Sequence, residues 1–365
     1  MQKNHHHPAG VFIAILNMGL GHATRSLPLI TYLLNQGWRV VIGSSGRSLI
    51  FLQKEIPGAS FVTLPDYNLH YSKSGVNFIQ LLSQLPRLLK IIQAEHLLTE
   101  KILEEQHLQM VVSDHRYGCY SYRQPSFFIS HQLRFAAPSW LKSFEIVGFW
   151  FNRYFHKKYR AIIVPDFAHR GEGLLSGRLS RLKKHPNYYF CGILSSISFL
   201  ESPLDIDILV SISGPEPQRT IFEQKMRHQL PRLPGNKVMV LGKPEVEIVD
   251  KKTPGLTIYS HLNRCDLQKY FNRSKLIVSR SGYSTIMELI ELRKRALLIP
   301  TPGQTEQLLL AKRLKAMGWF HTVSQDKLDL DIDVELAKRY PGSPLLAQTR
   351  DSLQKIYEIL VTSKN

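Results

Sequence analysis

Cysteine is scarce in this chain of 365 residues: three stand far apart, at Cys119, Cys191 and Cys265. An odd, dispersed set gives no disulfide framework and no metal spacing, and it suits a reducing cytoplasm. No apolar run approaches the roughly 20 residues needed to cross a bilayer. The start, Met1 to Pro8, lacks an apolar signal region, so export is not expected. Its three histidines read as a surface tail. There is no short-period repeat and no low-complexity tract. Acidic residues are also few, 29 against 47 Lys and Arg. The deficit is uneven, with 22 basic against 10 acidic residues up to Ser195 and 25 against 19 beyond it. A basic first half suits a polyanion or an anionic membrane. No recognised nucleic-acid module accompanies it, so a nucleic-acid partner is not expected.

What is present is apolar enough, at 43%, for large cores, and the length allows two domains. Val11–Leu16 reads as a buried parallel strand, Ala23–Asn35 as a helix with Leu27, Ile30, Leu33 and Leu34 on one face, and Trp38–Ile42 as the next strand. This is a βαβ unit. Further strands are expected at Ser60–Leu64, Met110–Ser113, Ser126–Ser130 and Ala161–Val164. Leu81–Glu105 should be helical with an interruption near Pro86. A linker-like stretch at Cys191–Pro203 precedes a second alternation. Its strands are Asp207–Ile212, Lys237–Leu241, Leu256–Tyr259, Leu276–Ser279 and Ala296–Ile299, with helices at Thr220–Leu230, Gln307–Met317 and Pro344–Thr362. Two similar α/β halves with a hinge near residue 196 follow. In open parallel sheets, ligands sit beyond the carboxyl ends of the strands.

The first loop, Met18-Gly19-Leu20-Gly21-His22-Ala23-Thr24-Arg25-Ser26, brings backbone close to a ligand at Gly19 and Gly21 and opens a helix. As a dinucleotide fingerprint it lacks the third glycine, and strand two ends in Gly43-Ser44-Ser45 without an acid for the ribose. Oxidoreductase chemistry is therefore not expected. His22, at the top of the sheet, is either a general base or a helix-start residue. Asp114 ends another strand on the same rim, where it could orient the imidazole, act as the base or cap a turn. Arg25 and His131 are lesser rim candidates on the acceptor side, and His115 is weaker still.

In the second half, Ser213-Gly214-Pro215-Glu216-Pro217-Gln218-Arg219 follows a strand and opens a helix. Two prolines without N–H and the Glu216 charge make it a wall of a site, with Arg219 as a possible phosphate contact. The better anion cradle is Ser281-Gly282-Tyr283-Ser284-Thr285, at a helix start after a strand. Glu288 is placed to accept a ribose diol, or simply stabilises the first turns of its helix. Glu306 and Gln307, on the loop after the next strand, could read the hydroxyls of a hexose, with Gln304 beside them as a further donor-side candidate. A phosphate cradle, a diol acceptor and a hydroxyl-reading pair together suggest a nucleotide-sugar site. Separately, residues 139–160 carry eight aromatics and end in Arg153, Lys157, Lys158 and Arg160. They suit either a surface dipping into an anionic membrane or a core helix with a cationic end.

The order Gly-Leu-Gly-His-Ala-Thr-Arg-Ser, then Ser-Arg-Ser-Gly-x-x-Thr-x-x-Glu and Pro-x-Pro-Gly-Gln-x-Glu-Gln, resembles the GT-B glycosyltransferases. The closest group is family 28, which includes the N-acetylglucosaminyltransferase that completes lipid II, and its uncharacterised bacterial relatives. The resemblance implies an α/β fold of two Rossmann-like parallel-sheet domains facing across a cleft. Residues 1–195 would bind the acceptor, 196–343 the nucleotide sugar, and the helix in 344–365 would pack back towards the first domain. It implies inverting transfer without metal or resident cofactor. The UDP-sugar serves as co-substrate and donates a hexose or N-acetylhexosamine to a hydroxyl acceptor. By position, Glu288 would bind the ribose, Ser281–Gly282 the diphosphate, Glu306 and Gln307 the sugar, and Ser260, His261 and Leu262 the base. His22 would match the family's first-loop histidine and Asp114 the partner aspartate of related plant-type transferases. This chain has Gly214-Pro-Glu-Pro where the lipid II enzyme has a glycine-rich loop, and its first loop is poorer in glycine, so the acceptor stays open. A membrane lipid or lipid-linked saccharide fits the basic, aromatic first half, as does a cytoplasmic protein peripheral to the inner face of the cytoplasmic membrane. A UDP-sugar 2-epimerase or hydrolase of the same architecture is the alternative.

Overall fold

The computed structural model describes residues 9–67, 78–134, 144–181, 187–243 and 248–362. The histidine tail and residues 139–143 of the aromatic segment lie outside them. The chain divides into two compact units, one running to Leu194 and taking back Gln348 onward, the other built on Ser195–Ala347.

The first unit runs β1 (Gly10–Ile15), α1 (Gly21–Asn35), β2 (Arg39–Ser44), α2 (Gly46–Glu55), β3 (Ser60–Thr63), α3 (Phe78–Glu105), β4 (Met110–Asp114), β5 (Ser126–Ile129), α4 (Phe144–His156) and β6 (Ala161–Val164). A small antiparallel hairpin, β7 (Ala168–His169) and β8 (Glu172–Gly173), precedes β9 (Tyr188–Phe190). The sheet order is β3-β2-β1-β4-β5-β6-β9, every pair parallel. Strands β1 and β4 are buried along their whole length, which is why they read as unbroken apolar runs. The strand order reverses between them, so the loops after β1 and β4 open side by side, where such sheets leave a crevice.

The second unit runs β10 (Ile206–Ser211), α5 (Gln218–Gln229), β11 (Lys237–Val240), β12 (Val249–Asp250), β13 (Leu256–Tyr259), α6 (Arg264–Arg273), β14 (Ser274–Ser279), α7 (Tyr283–Glu291), β15 (Arg295–Leu298), α8 (Thr305–Ala316), β16 (His321–Thr322) and α9 (Leu330–Lys338). Its order is β12-β13-β11-β10-β14-β15-β16, parallel except for the short β12. The reversal here lies between β10 and β14. Val210, Val278 and Leu297 from the central strands join Phe222 and Met226 of α5 in one core. The last helix, α10 (Thr349–Thr362), belongs to the first unit, where Tyr357 meets the rings of Tyr32 and Trp38 at 5.7 and 6.2 Å.

Several element ends shift by one to three residues, and two expectations are corrected outright. No interruption occurs at Pro86, and α3 runs unbroken through it. The proline forfeits one amide donor, but beyond it the helix is held by burial of Ile92, Ile102 and Leu103 and by packing of Leu88, Ile91 and Leu98. The terminal helix begins at Thr349 rather than Pro344, because Leu345 is exposed and residues before 349 offer no apolar face to bury.

Candidate active site

At the reversal of the first sheet, the loop after β1 turns on Gly19, whose φ of +68° is a conformation glycine adopts without strain. Gly21 is the first residue of α1, which puts His22 in its first turn. His22 Nδ1 lies 2.8 Å from Asp114 Oδ1, at the end of β4. Asp114 is fully buried and saturated with donors. Arg25 Nε donates to Oδ2 at 2.7 Å, Ser26 Oγ donates to Oδ2 at 2.7 Å, and Arg25 Nη2 donates to Oδ1. Arg25 Nη1 donates to His131 Nδ1 at 2.7 Å, which fixes His131 as the Nε2–H tautomer. His22 Nδ1 meets both the Asp114 Oδ1 acceptor at 2.8 Å and the Arg25 Nη2 donor at 2.9 Å, so the network holds the ring by Nδ1, and Nε2 takes no part in it among the described residues.

Burial works against ionising Asp114, but the charges of Arg25 and His22 overcome it and hold the carboxyl well below the usual range. Burial and then Arg25 press the His22 pKa below 6.5, with Asp114 opposing. The imidazole is therefore neutral at pH 7 and able to accept a proton. Asp114 is buried with both oxygens bonded, an arrangement suited to orienting the imidazole. His115, whose ring lies 5.3 Å from that of His22, is pressed well below its ordinary pKa by burial and by the charges of His22 and Arg25. Its Nδ1 has no hydrogen-bond partner. Ligand atoms of His22, Asp114 and His115 lie within 4.8 Å of one another, a spacing that could hold a metal ion. A cation there would have to displace the Arg25 guanidinium from Asp114.

In the second unit the donor-side candidates fall on loops at the carboxyl ends of neighbouring strands: Ser213 and Gly214 after β10, Ser260–Leu262 after β13, Ser281–Thr285 after β14, and Gln304–Gln307 after β15. Gly282 is the N-cap of α7 with no side-chain cap bond. Ser281 Oγ donates to the Gln307 carbonyl at 3.0 Å, which ties the β14 loop to the β15 loop. Gln307 spends its amide on its own loop, accepting from Thr301 N–H at 2.9 Å and donating to Gln304 Oε1 at 2.5 Å. Arg219 is paired with Glu216 and donates to the Gly242 carbonyl. Ser260 Oγ accepts from Ile248 N–H at 3.0 Å, fastening the loop that would face the base.

Glu288, in α7, is nearly buried and ion-paired through Oε1 with Arg264 Nη2 of α6, which also donates to Ser196 Oγ. Its Oε2 takes no hydrogen bond among the described residues. Arg264 was not visible in the sequence as part of this site, and neither was Arg280. The signal for the latter was present, since it stands inside Ser279-Arg280-Ser281-Gly282. Arg280 is buried and reaches the carbonyls of Ile299, Pro300 and Gln218 and the amide oxygen of Gln325.

The described part of the aromatic segment has rings both inside and outside the core. Phe155 and Tyr159 lie in the core and Phe151 packs against it, whereas Trp150 and Tyr154 are 60% and 61% exposed. No helix among the described residues is long and apolar enough to cross a membrane.

Residues 220–349, nearly all within the second unit, match the glycosyltransferase family 28 C-terminal domain. Over 164 residues the chain is 26% identical to the UDP-N-acetylglucosamine–N-acetylmuramyl-(pentapeptide) pyrophosphoryl-undecaprenol N-acetylglucosamine transferase of Opitutus terrae, covering 40% of this chain and 44% of that protein. The match thus spans less than half of the relative. Among solved structures, the glycotransferase of kitacinnamycin is similar with a TM-score of 0.63 at 14% identity, over 98% of this chain and 96% of that one. A putative UDP-N-acetylglucosamine 2-epimerase from Listeria monocytogenes gives 0.58 at 11% identity, over 98% of each chain. At these identities the structures speak for the fold, two Rossmann-like parallel-sheet domains of the GT-B kind.

Proposed function

We propose that the chain is a glycosyltransferase that moves a hexose or N-acetylhexosamine from a UDP-sugar to a hydroxyl acceptor with inversion at the anomeric carbon. The observation that carries this reading is the gathering of the donor candidates at the strand ends of a unit that matches the family 28 C-terminal domain. The diphosphate rests on the start of α7, where backbone N–H groups and the helix dipole favour an anion. Glu288 takes the ribose diol through Oε2, with Arg264 holding its other oxygen. Glu306 and the loop around Gln307 face the sugar, Gln307 acting mainly by keeping that loop in shape.

On the first unit, His22 Nε2 removes the acceptor proton as the hydroxyl attacks the anomeric carbon. Asp114 stabilises the imidazolium that forms, and Arg25 fixes Asp114. A single displacement of this kind inverts the anomeric centre. The charge developing on the leaving diphosphate is taken up by the α7 start and neighbouring cations, so the reading requires no metal. The acceptor is a membrane lipid or lipid-linked saccharide, in keeping with the basic first half and the exposed aromatics of α4.

The test is incubation with a panel of UDP-sugars, with and without glycolipid acceptors. UDP release that depends on the acceptor is expected. Turnover of the nucleotide sugar alone would instead make the protein an epimerase or hydrolase of the same architecture. If no UDP-sugar is consumed under either condition, the reading fails.

A further inference from the structure

Three arginines are essentially buried among the described residues, and two of them have a carboxylate beside them. Arg25 sits on Asp114, and Arg116 lies 2.9 Å from Glu95 with both side chains wholly inaccessible. The third is Arg280, 1% exposed. Its guanidinium meets only neutral groups: Gln218 O at 2.9 Å, Gln325 Oε1 at 2.5 Å, the carbonyls of Ile299 and Pro300 at 3.4 Å, and the face of Phe222, 4.1 Å from the ring centroid. Nε has no partner among the described residues. Burial without a compensating carboxylate presses its pKa down to about 10.

The placement is unfavourable in a second way. Gln218 is the first residue of α5, so the cation lies against the positive end of a helix. Glu216 does not relieve it, being spent on Arg219 and on Thr220 at that helix start. A buried cation with no opposite charge beside it is costly, and here only oxygen dipoles and the Phe222 ring offset it. The carbonyls that Arg280 touches lie just after β15 and at the start of α5, and the residue itself directly follows β14, two positions before the α7 cap. Beside it, the buried Thr301 hydroxyl also lacks a partner, and a Cβ on Gly214 would stand 3.7 Å from it.

We propose that Arg280 is the fixed counter-charge of an anion site at the ends of β10, β14 and β15, and that it makes the site selective for a diphosphate over a monophosphate. Arg280 acts as a positioning residue, through the field at the loops it ties together and without touching the ligand. The nucleotide part of the ligand rests on the UDP-sugar reading above, but the counter-charge does not.

The experiment places a carboxylate where the structure lacks one. Gln325→Glu puts an anion against Arg280, and Arg280→Met removes the charge at similar length. Calorimetry with uridine, UMP, UDP and inorganic pyrophosphate is run on the wild type and both variants, with melting temperatures alongside. In Q325E the fold should become more stable while UDP and pyrophosphate weaken on the order of 10–100-fold, UMP less, and uridine within about twofold, as a lost Coulomb attraction requires. R280M should show the same ranking if it folds, and Q325E carries the test if it does not. Equal weakening of all four ligands, or unchanged UDP and pyrophosphate, would overturn the proposal. Wild type that binds pyrophosphate but not UDP would sink the nucleotide reading and leave the counter-charge standing. Wild type that binds neither anion sinks both.

Discussion

His22 Nδ1 lies 2.8 Å from Asp114 Oδ1, and the fully buried Asp114 carboxylate is held in addition by Arg25 and Ser26. Orientation and basicity are therefore divided between the two residues. His22→Gln should lower turnover by about 10²–10⁴, the usual size of a general-base effect, with little change in the urea midpoint. Asp114→Asn should also lower turnover. It should in addition destabilise the first unit by about 3–5 kcal/mol, because Arg25 would be left buried without its anion. Equal stability losses in the two variants would contradict this division.

Acid should inactivate the protein and loosen it over the same pH range. Burial, then neighbouring positive charge, keeps His22 and His115 below their ordinary pKa of 6.5. The unfolded chain therefore takes up protons before the folded one as pH falls. Their contribution to stability is complete above about 6.5 and is lost as pH drops through the folded values. Urea denaturation at pH 7.5 and 5.5 should show a fall for the wild type and a smaller one for a His22→Gln/His115→Gln double variant. In kcat/KM the acid limb should lie below pH 6.5, and a limb above it would remove His22 as the base.

Glu288 offers a sharper test of the donor side than loss of activity. With Arg264 on Oε1, the diol reading leaves Oε2 for the ribose. Wild type should bind UDP more tightly than 2′,3′-dideoxy-UDP, and Glu288→Gln should erase most of that difference, on the order of tenfold, as expected for hydrogen bonds to a charged group. A variant that keeps the full discrimination excludes the ribose role.

The strands were legible because parallel strands covered on both faces must be apolar throughout, as at Val11–Ile15 and Ile277–Val278. Elements that bury little were not. Helix α2 buries only Ser48 and Leu52 and leaves Ile50 55% exposed, and α6 buries only Phe271 and Asn272, so neither shows an apolar face. The start of α6 did carry a local signal, Asn263 accepting from Asp266 N–H. In the site, His22 and Asp114 could be named because each stands at the end of a recognisable element. Their fastening by Arg25 joins positions 89 residues apart, and the Arg264–Glu288 pair joins positions 24 apart. Such contacts arise from the sheet order, which no local pattern encodes. The internal use of Gln307 is of the same kind.

Helix α4 gives the membrane part of the proposal a surface that can be removed without touching the site. Trp150 and Tyr154 are exposed on it, and Lys158 Nζ stands 5.1, 5.1 and 5.3 Å from the ring centroids of Tyr120, Tyr122 and Tyr154. Rings of this kind enter the headgroup region while cations engage anionic lipid. Flotation with phosphatidylglycerol vesicles at low salt should recover the wild type, and binding should fall as salt screens the basic half. Trp150→Ala with Tyr154→Ala should weaken binding about tenfold and leave turnover of a water-soluble acceptor unchanged. Wild type that stays with the unbound fraction at low salt would separate this surface from lipid, and the acceptor would then be sought among soluble hydroxyl compounds.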